Sequence, residues 1–226
     1  MGIKVIKGIV VERYEYRDFD LIVTIVTTLG RIKFVAPGVR KVGSKNIFGL
    51  NQGSLSEFEL FLAQNTERLS KLKRAESIKN LDFTDKIVLD FWKLISQITR
   101  KDEFVVELFE SIQKAFLIIN WQNAAAIKVF IILNWLKKNG LIANLSACRV
   151  CKTNQRLTNF DFYGGMECFF HFKKKPSPHF NSQELAIFYW SDYEFDNFLK
   201  KIDFNYAHSV FVVLKEFLKQ NSYIYL

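Results

Sequence analysis

The chain has 226 residues, three of them cysteine, and a formal net charge of 32 − 23 = +9. Its hydrophobic fraction of 49% is enough to build real cores and excludes wholesale disorder. Three cysteines make no disulfide framework, no basic–apolar–small leader opens the chain, and the most apolar run, Ala124 to Leu136, is too short for a bilayer. The expectation is a soluble, cytoplasmic, basic protein, and the excess charge suggests a polyanion partner.

The first 80 residues read as strands. Ile3 to Val11 is β-branched and is bounded by the polar cluster Glu12 to Asp20; Leu21 to Thr28 is rich in Val, Ile and Thr, with a Leu29-Gly30 turn. In the third segment Ile32, Phe34 and Ala36 alternate with Arg31, Lys33 and Val35, which places the apolar set inside and both cations outside. Pro37-Gly38 ends that strand, and residues 38–53 leave room for a short helix near Asn46 to Leu50. Phe58 to Leu62 and Leu69 to Lys73 form two more strands joined by Gln64-Asn65-Thr66, with poor alternation around Lys71-Leu72-Lys73. Five short strands with a helical insert after the third are the layout of an OB-type barrel, whose open face commonly binds oligonucleotides.

Charge concentrates in this region. Residues 1–80 hold 14 basic and 8 acidic side chains, and no acid lies between Asp20 and Glu57. That gap contains Arg31, Lys33, Arg40, Lys41 and Lys45, a local field for phosphates without counter-charge in the segment. Lys71, Lys73 and Arg74 extend the track, and Tyr14, Tyr16 and Phe19 border the first loop beside Arg13 and Arg17 as base-stacking candidates. Gly38 to Lys45 brushes against the phosphate-loop pattern, but its final Ser44-Lys45 is reversed, so it reads as a basic loop.

From residue 81 the period becomes helical. Ile87, Phe91, Leu94, Ile95 and Ile98 share one face; Val105, Leu108, Phe109, Ile112, Phe116 and Ile119 share another. Ala124 to Leu136 is apolar on nearly every side, which predicts a buried helix stopped by Gly140. Asn181 and Glu184 resemble a capping box, and Val210, Phe211, Leu214, Phe217 and Leu218 mark a final helix. Trp92, Trp121, Trp135 and Trp190 fall in helical apolar patterns and read as core or interface.

Between these helices lie Cys148-x-x-Cys151 and Cys168-x-x-His171, two ligand-x-x-ligand knuckles separated by 16 residues. Each knuckle lets two side chains converge on one point, and together they complete a Cys₃His tetrahedron for zinc that uses every cysteine. Four protein ligands leave no site for water, so the metal reads as structural. His179 breaks the spacing and reads as a surface histidine, and His208 as a helix-face residue. Arg149, Lys152, Arg156 and Lys173-Lys174-Lys175 surround the module with charge that serves either solubility or DNA contact. Paired acids such as Glu57/Glu59 and Asp18/Asp20 sit at strand spacing and read as solvated faces, and no nucleophile elbow or H-E-x-x-H occurs. The chain therefore reads as a non-enzyme.

These residues resemble the RecO family of bacterial recombination mediators. The likeness rests on Gly8-Ile9-Val10-Val11, Tyr16-Arg17-Asp18, Leu29-Gly30, Ala36-Pro37-Gly38-Val39-Arg40-Lys41 with Ser44-Lys45, Phe58-Glu59-Leu60, Ala75-Glu76, the Cys148/Cys151 knuckle, and Gly164-Gly165 with the knuckle that follows. His171 stands where a fourth cysteine is usual, Pro37 is unusual before its glycine, and the first loop reads Arg17-Asp18-Phe19-Asp20. The resemblance implies an α+β multidomain protein: an OB-fold barrel over 1–80, a helical domain in two parts, 81–145 and 176–226, and an embedded zinc module over 146–175. It also implies binding of single- and double-stranded DNA, annealing of complementary strands, and work with RecR to load RecA on DNA coated by single-strand-binding protein. That protein's acidic, aromatic tail would dock on the helical domain, and the protein would associate with the nucleoid. Two rivals stand beside it: an OB-fold RNA-binding factor of translation or transcription that carries zinc, and a zinc-dependent hydrolase.

Overall fold

A computed structural model describes residues 2–63, 68–100, 106–172 and 180–221. The predicted Gln64-Asn65-Thr66 turn, Val105, the Lys173-Lys174-Lys175 run and His179 lie outside the described residues. The chain forms two compact units, Met1–Ile118 and Ile119–Leu226.

The first unit holds β1 (Ile3–Tyr16), β2 (Asp20–Thr27), β3 (Gly30–Ala36), β4 (Ser54–Phe61) and β5 (Ser70–Asn80), followed by α1 (Lys86–Arg100) and α2 (Leu108–Ile118). The strands close into a barrel in the order β1-β2-β3-β5-β4. Closure is made where β3 meets β5 in parallel, Phe34 opposite Ser70 and Val35 opposite Lys71. The expected short helix is a 3₁₀ turn over Ile47–Leu50, between β3 and β4. Alternate residues of every strand fill the interior: Val10, Val23, Ile25, Phe34, Phe58, Leu60 and Leu72, with Leu50 from the 3₁₀ turn. The Phe34 and Phe58 rings meet at 5.7 Å, and burying each such side chain contributes about 1.5–3 kcal/mol.

Three strand boundaries differ from the sequence reading, and at one of them β4 opens at Ser54, four residues before Phe58. The polar run from Glu12 does not end β1, which continues to Tyr16 against β2, from Glu12 opposite Thr24 to Tyr16 opposite Asp20. A bulge between Val10 and Glu12 resets the register there. An antiparallel pair can face water, so polar composition did not mean loop. At the other end β5 runs to Asn80 rather than stopping at Lys73. A second bulge, between Glu59 and Leu60, pairs Glu59 with Arg74 and Leu60 with Leu72 and leaves Lys73 as the extra residue. Lys71, Leu72 and Lys73 alternate exposed, buried, exposed, and that insertion breaks the alternation one step later, where Lys73 and Arg74 are both exposed.

The second unit holds α3 (Ala124–Lys138), β6 (Leu157–Asp161), β7 (Gly165–Cys168), α4 (Ser182–Trp190), α5 (Phe195–Lys201) and α6 (Ala207–Gln220). Helix α3 buries ten residues and ends as predicted. Gly140 takes φ +68°, its N–H reaches the Lys137 carbonyl at 3.0 Å, and Leu141 N–H reaches that of Leu136 at 2.9 Å. The Asn181–Glu184 capping box is formed, with both reciprocal bonds. The β6–β7 hairpin and α5 were not anticipated. Phe160 of the hairpin stacks on Phe188 of α4 at 4.2 Å, and Phe162 stacks on Phe217 of α6 at the same distance. Trp92 and Trp135 are buried, but Trp121 is 75% exposed in the turn before α3 and is no core residue. Among the described residues no helix is long and apolar enough to cross a membrane.

Candidate nucleic-acid face and metal centre

The hairpin of β1 and β2, the outer side of β3 and the loop after it hold most of the predicted cations. Strand parity places Arg31 and Lys33 opposite to Phe34. Three cations lie over exposed rings: Lys33 Nζ is 5.2 Å from the Tyr14 centroid, the Arg17 guanidinium 5.0 Å from Tyr16, and Lys41 Nζ 5.5 Å from Phe19. All three rings flank the first hairpin, so aromatic faces and positive charge share one surface. Lys45 and Lys71 are exposed nearby on the loop and on β5.

The other predicted cations are engaged. Glu12 lies 3.4 Å from Arg31, which also donates to the Thr99 carbonyl at 2.6 Å. Glu15 holds Arg40 at 2.8 Å. The field expected to lack counter-charge therefore receives two acids folded across from β1. Arg13 donates to Asn51 Oδ1 at 2.8 Å, beside the 3₁₀ turn. Lys73 pairs with Glu59 at 2.8 Å, and Arg74 pairs with Glu59 and Glu76. The hydrogen bond from Lys73, helped by the charges of Lys73 and Arg74, outweighs desolvation and holds Glu59 below the usual carboxylate range. Glu59 thus sits in an ion network on the strand surface, in keeping with the solvated-face reading. Asp20 accepts the Gly38 N–H at 2.8 Å, which fixes the start of the basic loop.

In the second unit the Sγ and Nδ1 atoms of Cys148, Cys151, Cys168 and His171 all lie within 4.8 Å of one another. His171 Nδ1 is 3.3 Å from Cys168 Sγ and 3.7 Å from Cys148 Sγ; Cys151 Sγ is 3.7 Å from Cys168 Sγ. This cluster could hold a metal ion. Local backbone bonds shape it. Cys148 N–H reaches the Thr153 carbonyl at 2.8 Å, Arg149 N–H that of Met166 at 2.8 Å, and His171 N–H that of Cys168 at 2.9 Å. Burial pushes the Cys148 thiol up, but N–H groups of Cys151, Cys168 and Val150 outweigh it and bring it down to about 6. The Cys151 thiol is pushed up: the Thr153 N–H lowers it, but desolvation and the Cys168 and Cys148 sulfurs prevail.

An ion pair with a buried acid braces the cluster. Glu167, only 2% exposed, accepts from Arg149 at 2.5 Å and from Asn159 at 3.2 Å. Arg149 therefore ties the first knuckle to β7. A Cβ at Gly164 would fall 2.6 Å from Arg149 Nη1, so this position admits only glycine without movement of the arginine. Nothing in the sequence spacing signalled this pair. His208 is exposed in the first turn of α6.

The chain thus joins a closed five-stranded barrel with a cationic, aromatic hairpin to a helical unit that carries a Cys₃His cluster. Residues 1–81 match the family described as Recombination protein O N terminal, and residues 91–212 match Recombination protein O C terminal. The chain belongs to the recombination protein O family, whose role is in DNA repair and recombination. It is 34% identical over 158 residues to the DNA repair protein RecO of Mycoplasma mycoides subsp. mycoides SC, a match covering 66% of this chain and 64% of that relative. The protein of the same name from Mycoplasma capricolum subsp. capricolum gives the same identity and coverage. That of Mesoplasma florum is 29% identical over 210 residues, or 88% of this chain and 74% of the relative. The matched stretch thus spans under two thirds of the two Mycoplasma relatives.

Proposed function

We propose that this chain is an ATP-independent, non-enzymatic recombination mediator of the cytoplasm and nucleoid. It binds single- and double-stranded DNA, anneals complementary strands and, with RecR, helps load RecA on DNA coated by single-strand-binding protein. The observation that carries this reading is the hairpin surface on which Lys33, Arg17 and Lys41 lie over Tyr14, Tyr16 and Phe19. Cations neutralise phosphates and release counterions; exposed rings stack unpaired bases. Cancelling charge on two strands at once lowers their repulsion and favours pairing. Arg13, Arg31, Arg40, Lys71, Lys73 and Arg74 frame this surface. The ion-paired members contribute less, because an acid already offsets each of them.

Residues 1–80 supply the nucleic-acid domain in this reading, and 81–145 with 176–226 the helical parts. A shallow cavity of about 220 Å³, lined by Leu157, Leu185, Ala186, Tyr189 and Trp190, suits the acidic, aromatic tail of single-strand-binding protein. Lys201, 5.6 Å over the Trp190 ring, supplies a cation beside it.

Zinc is the ion we assign to the Cys₃His cluster within 146–175. With Zn–S near 2.3 Å and Zn–N near 2.0–2.1 Å, a tetrahedron has edges of about 3.8 Å between sulfurs and about 3.5 Å from sulfur to nitrogen. Three of the six separations, 3.3–3.7 Å, lie close to those edges, and all six are within 4.8 Å. Cys148, Cys151, Cys168 and His171 would hold the ion, which braces the fold.

Annealing of complementary oligonucleotides in nucleotide-free buffer tests the function. The expected result is acceleration over the spontaneous rate on naked strands and on strands coated by single-strand-binding protein. Spontaneous rates on both would overturn it.

A further inference from the structure

We propose that the second metal knuckle is itself a contact surface for unpaired nucleic-acid bases, made by Phe169 and Phe170. This rests on the reading that the chain binds nucleic acid, and it adds a site remote in sequence from the barrel.

In a ligand-x-x-ligand turn the outer residues point at the metal and the two between them are free to point away. Water-facing positions of that kind ask for polar side chains. Here both are phenylalanine, 67% and 74% exposed, with ring centroids 5.7 Å apart and planes at 82°. Val150, between the ligands of the first knuckle, is 57% exposed as well. The residues between the ligands of both knuckles thus include three exposed apolar side chains, two of them paired rings.

Charge decides the occupant. Lys152 and Arg156 are exposed and follow the first knuckle, and the Arg156 carbonyl accepts the Phe169 N–H at 2.9 Å, which joins the backbone of that cation to the backbone of the second knuckle. The only acids between residues 145 and 172 are Asp161 and Glu167. Glu167 is buried on Arg149, and Asp161 accepts N–H bonds from Tyr163 and Gly164 at 3.0 and 2.5 Å. Within residues 145–172 the module therefore offers flat apolar faces and positive charge, with one carboxylate buried and the other half-buried. Single-stranded nucleic acid matches both features, because every base has a stacking face and every linkage a negative charge.

The test uses full-length, zinc-loaded protein, a fluorescein-labelled oligothymidylate and a blunt duplex of equal length. Phe169→Ala/Phe170→Ala should weaken single-strand binding by roughly ten- to a hundredfold. The slope of log affinity against log salt should not change, since no cation is lost. Duplex affinity should hold, because paired bases present no face. Phe169→Trp/Phe170→Trp should restore single-strand binding. Zinc content per chain confirms that the knuckle is intact; if the double variant loses zinc, Phe170→Ala alone is read the same way, with a smaller loss. Wild-type single-strand affinity in the alanine variant, an equal loss on duplex, or a change confined to self-association on sedimentation would overturn the proposal and leave the barrel reading standing. A wild-type protein that binds neither strand would overturn both.

Discussion

Cys168→Ser should strip the metal from the second unit and loosen the β6–β7 hairpin. Cys168 is 1% exposed and ends β7, and its sulfur lies within 3.7 Å of both Cys151 Sγ and His171 Nδ1. A structural zinc site contributes about 10–16 kcal/mol of apparent binding energy at neutral pH, and that energy is folding energy. Losing one thiolate removes several kcal/mol of it. The damage would spread through Phe160 and Phe162, which stack on α4 and α6. Zinc per chain after gel filtration should fall well below one, and the thermal midpoint should drop by many degrees. Chelation of the wild type should reproduce the shift. Full metal content with an unchanged midpoint would contradict the assignment of these four residues as a structural site.

On the barrel, Lys33→Ala/Lys41→Ala/Lys45→Ala should flatten the salt dependence of single-strand binding by about 2 log–log units, from roughly 0.7 per phosphate contact. The same coefficient gives a loss of roughly 50-fold in affinity near 0.15 M salt. Removing Lys73 and Arg74 should do much less per residue, because Glu59 and Glu76 already neutralise them. The contrast matters more than either number. It separates a face that grips phosphates from a general fall in net charge, which would scale with the count of cations removed wherever they sit. Equal effects per residue in the two sets would refute the division between open and ion-paired cations.

The Cys148, Cys151, Cys168 and His171 cluster was legible in the sequence, because three cysteines and one histidine in two identical spacings admit few other arrangements. The barrel strands were legible wherever one face is buried, as in Ile32-Phe34-Ala36 of β3. Legibility failed where tertiary register decides. Nothing local shows that Glu12 and Glu15 fold across to Arg31 and Arg40, since those pairings depend on the β1 bulge and on strand order. The Lys73 bulge looked like a broken pattern because one extra residue shifts the parity of all that follow. The Arg149–Glu167 pair was hidden for a different reason: an isolated Glu beside a cysteine carries no sign that it is buried. Trp121 misled because its apolar neighbours in sequence begin a helix to which it does not belong.

The most direct measurement is the affinity of the wild-type, metal-loaded chain for a labelled single strand across a series of salt concentrations. Phosphate gripping by the hairpin and basic loop predicts a linear fall of log affinity with log salt, with a slope of about −2 or steeper for three or more contacts. A flat line, or no binding even in dilute buffer, would contradict it.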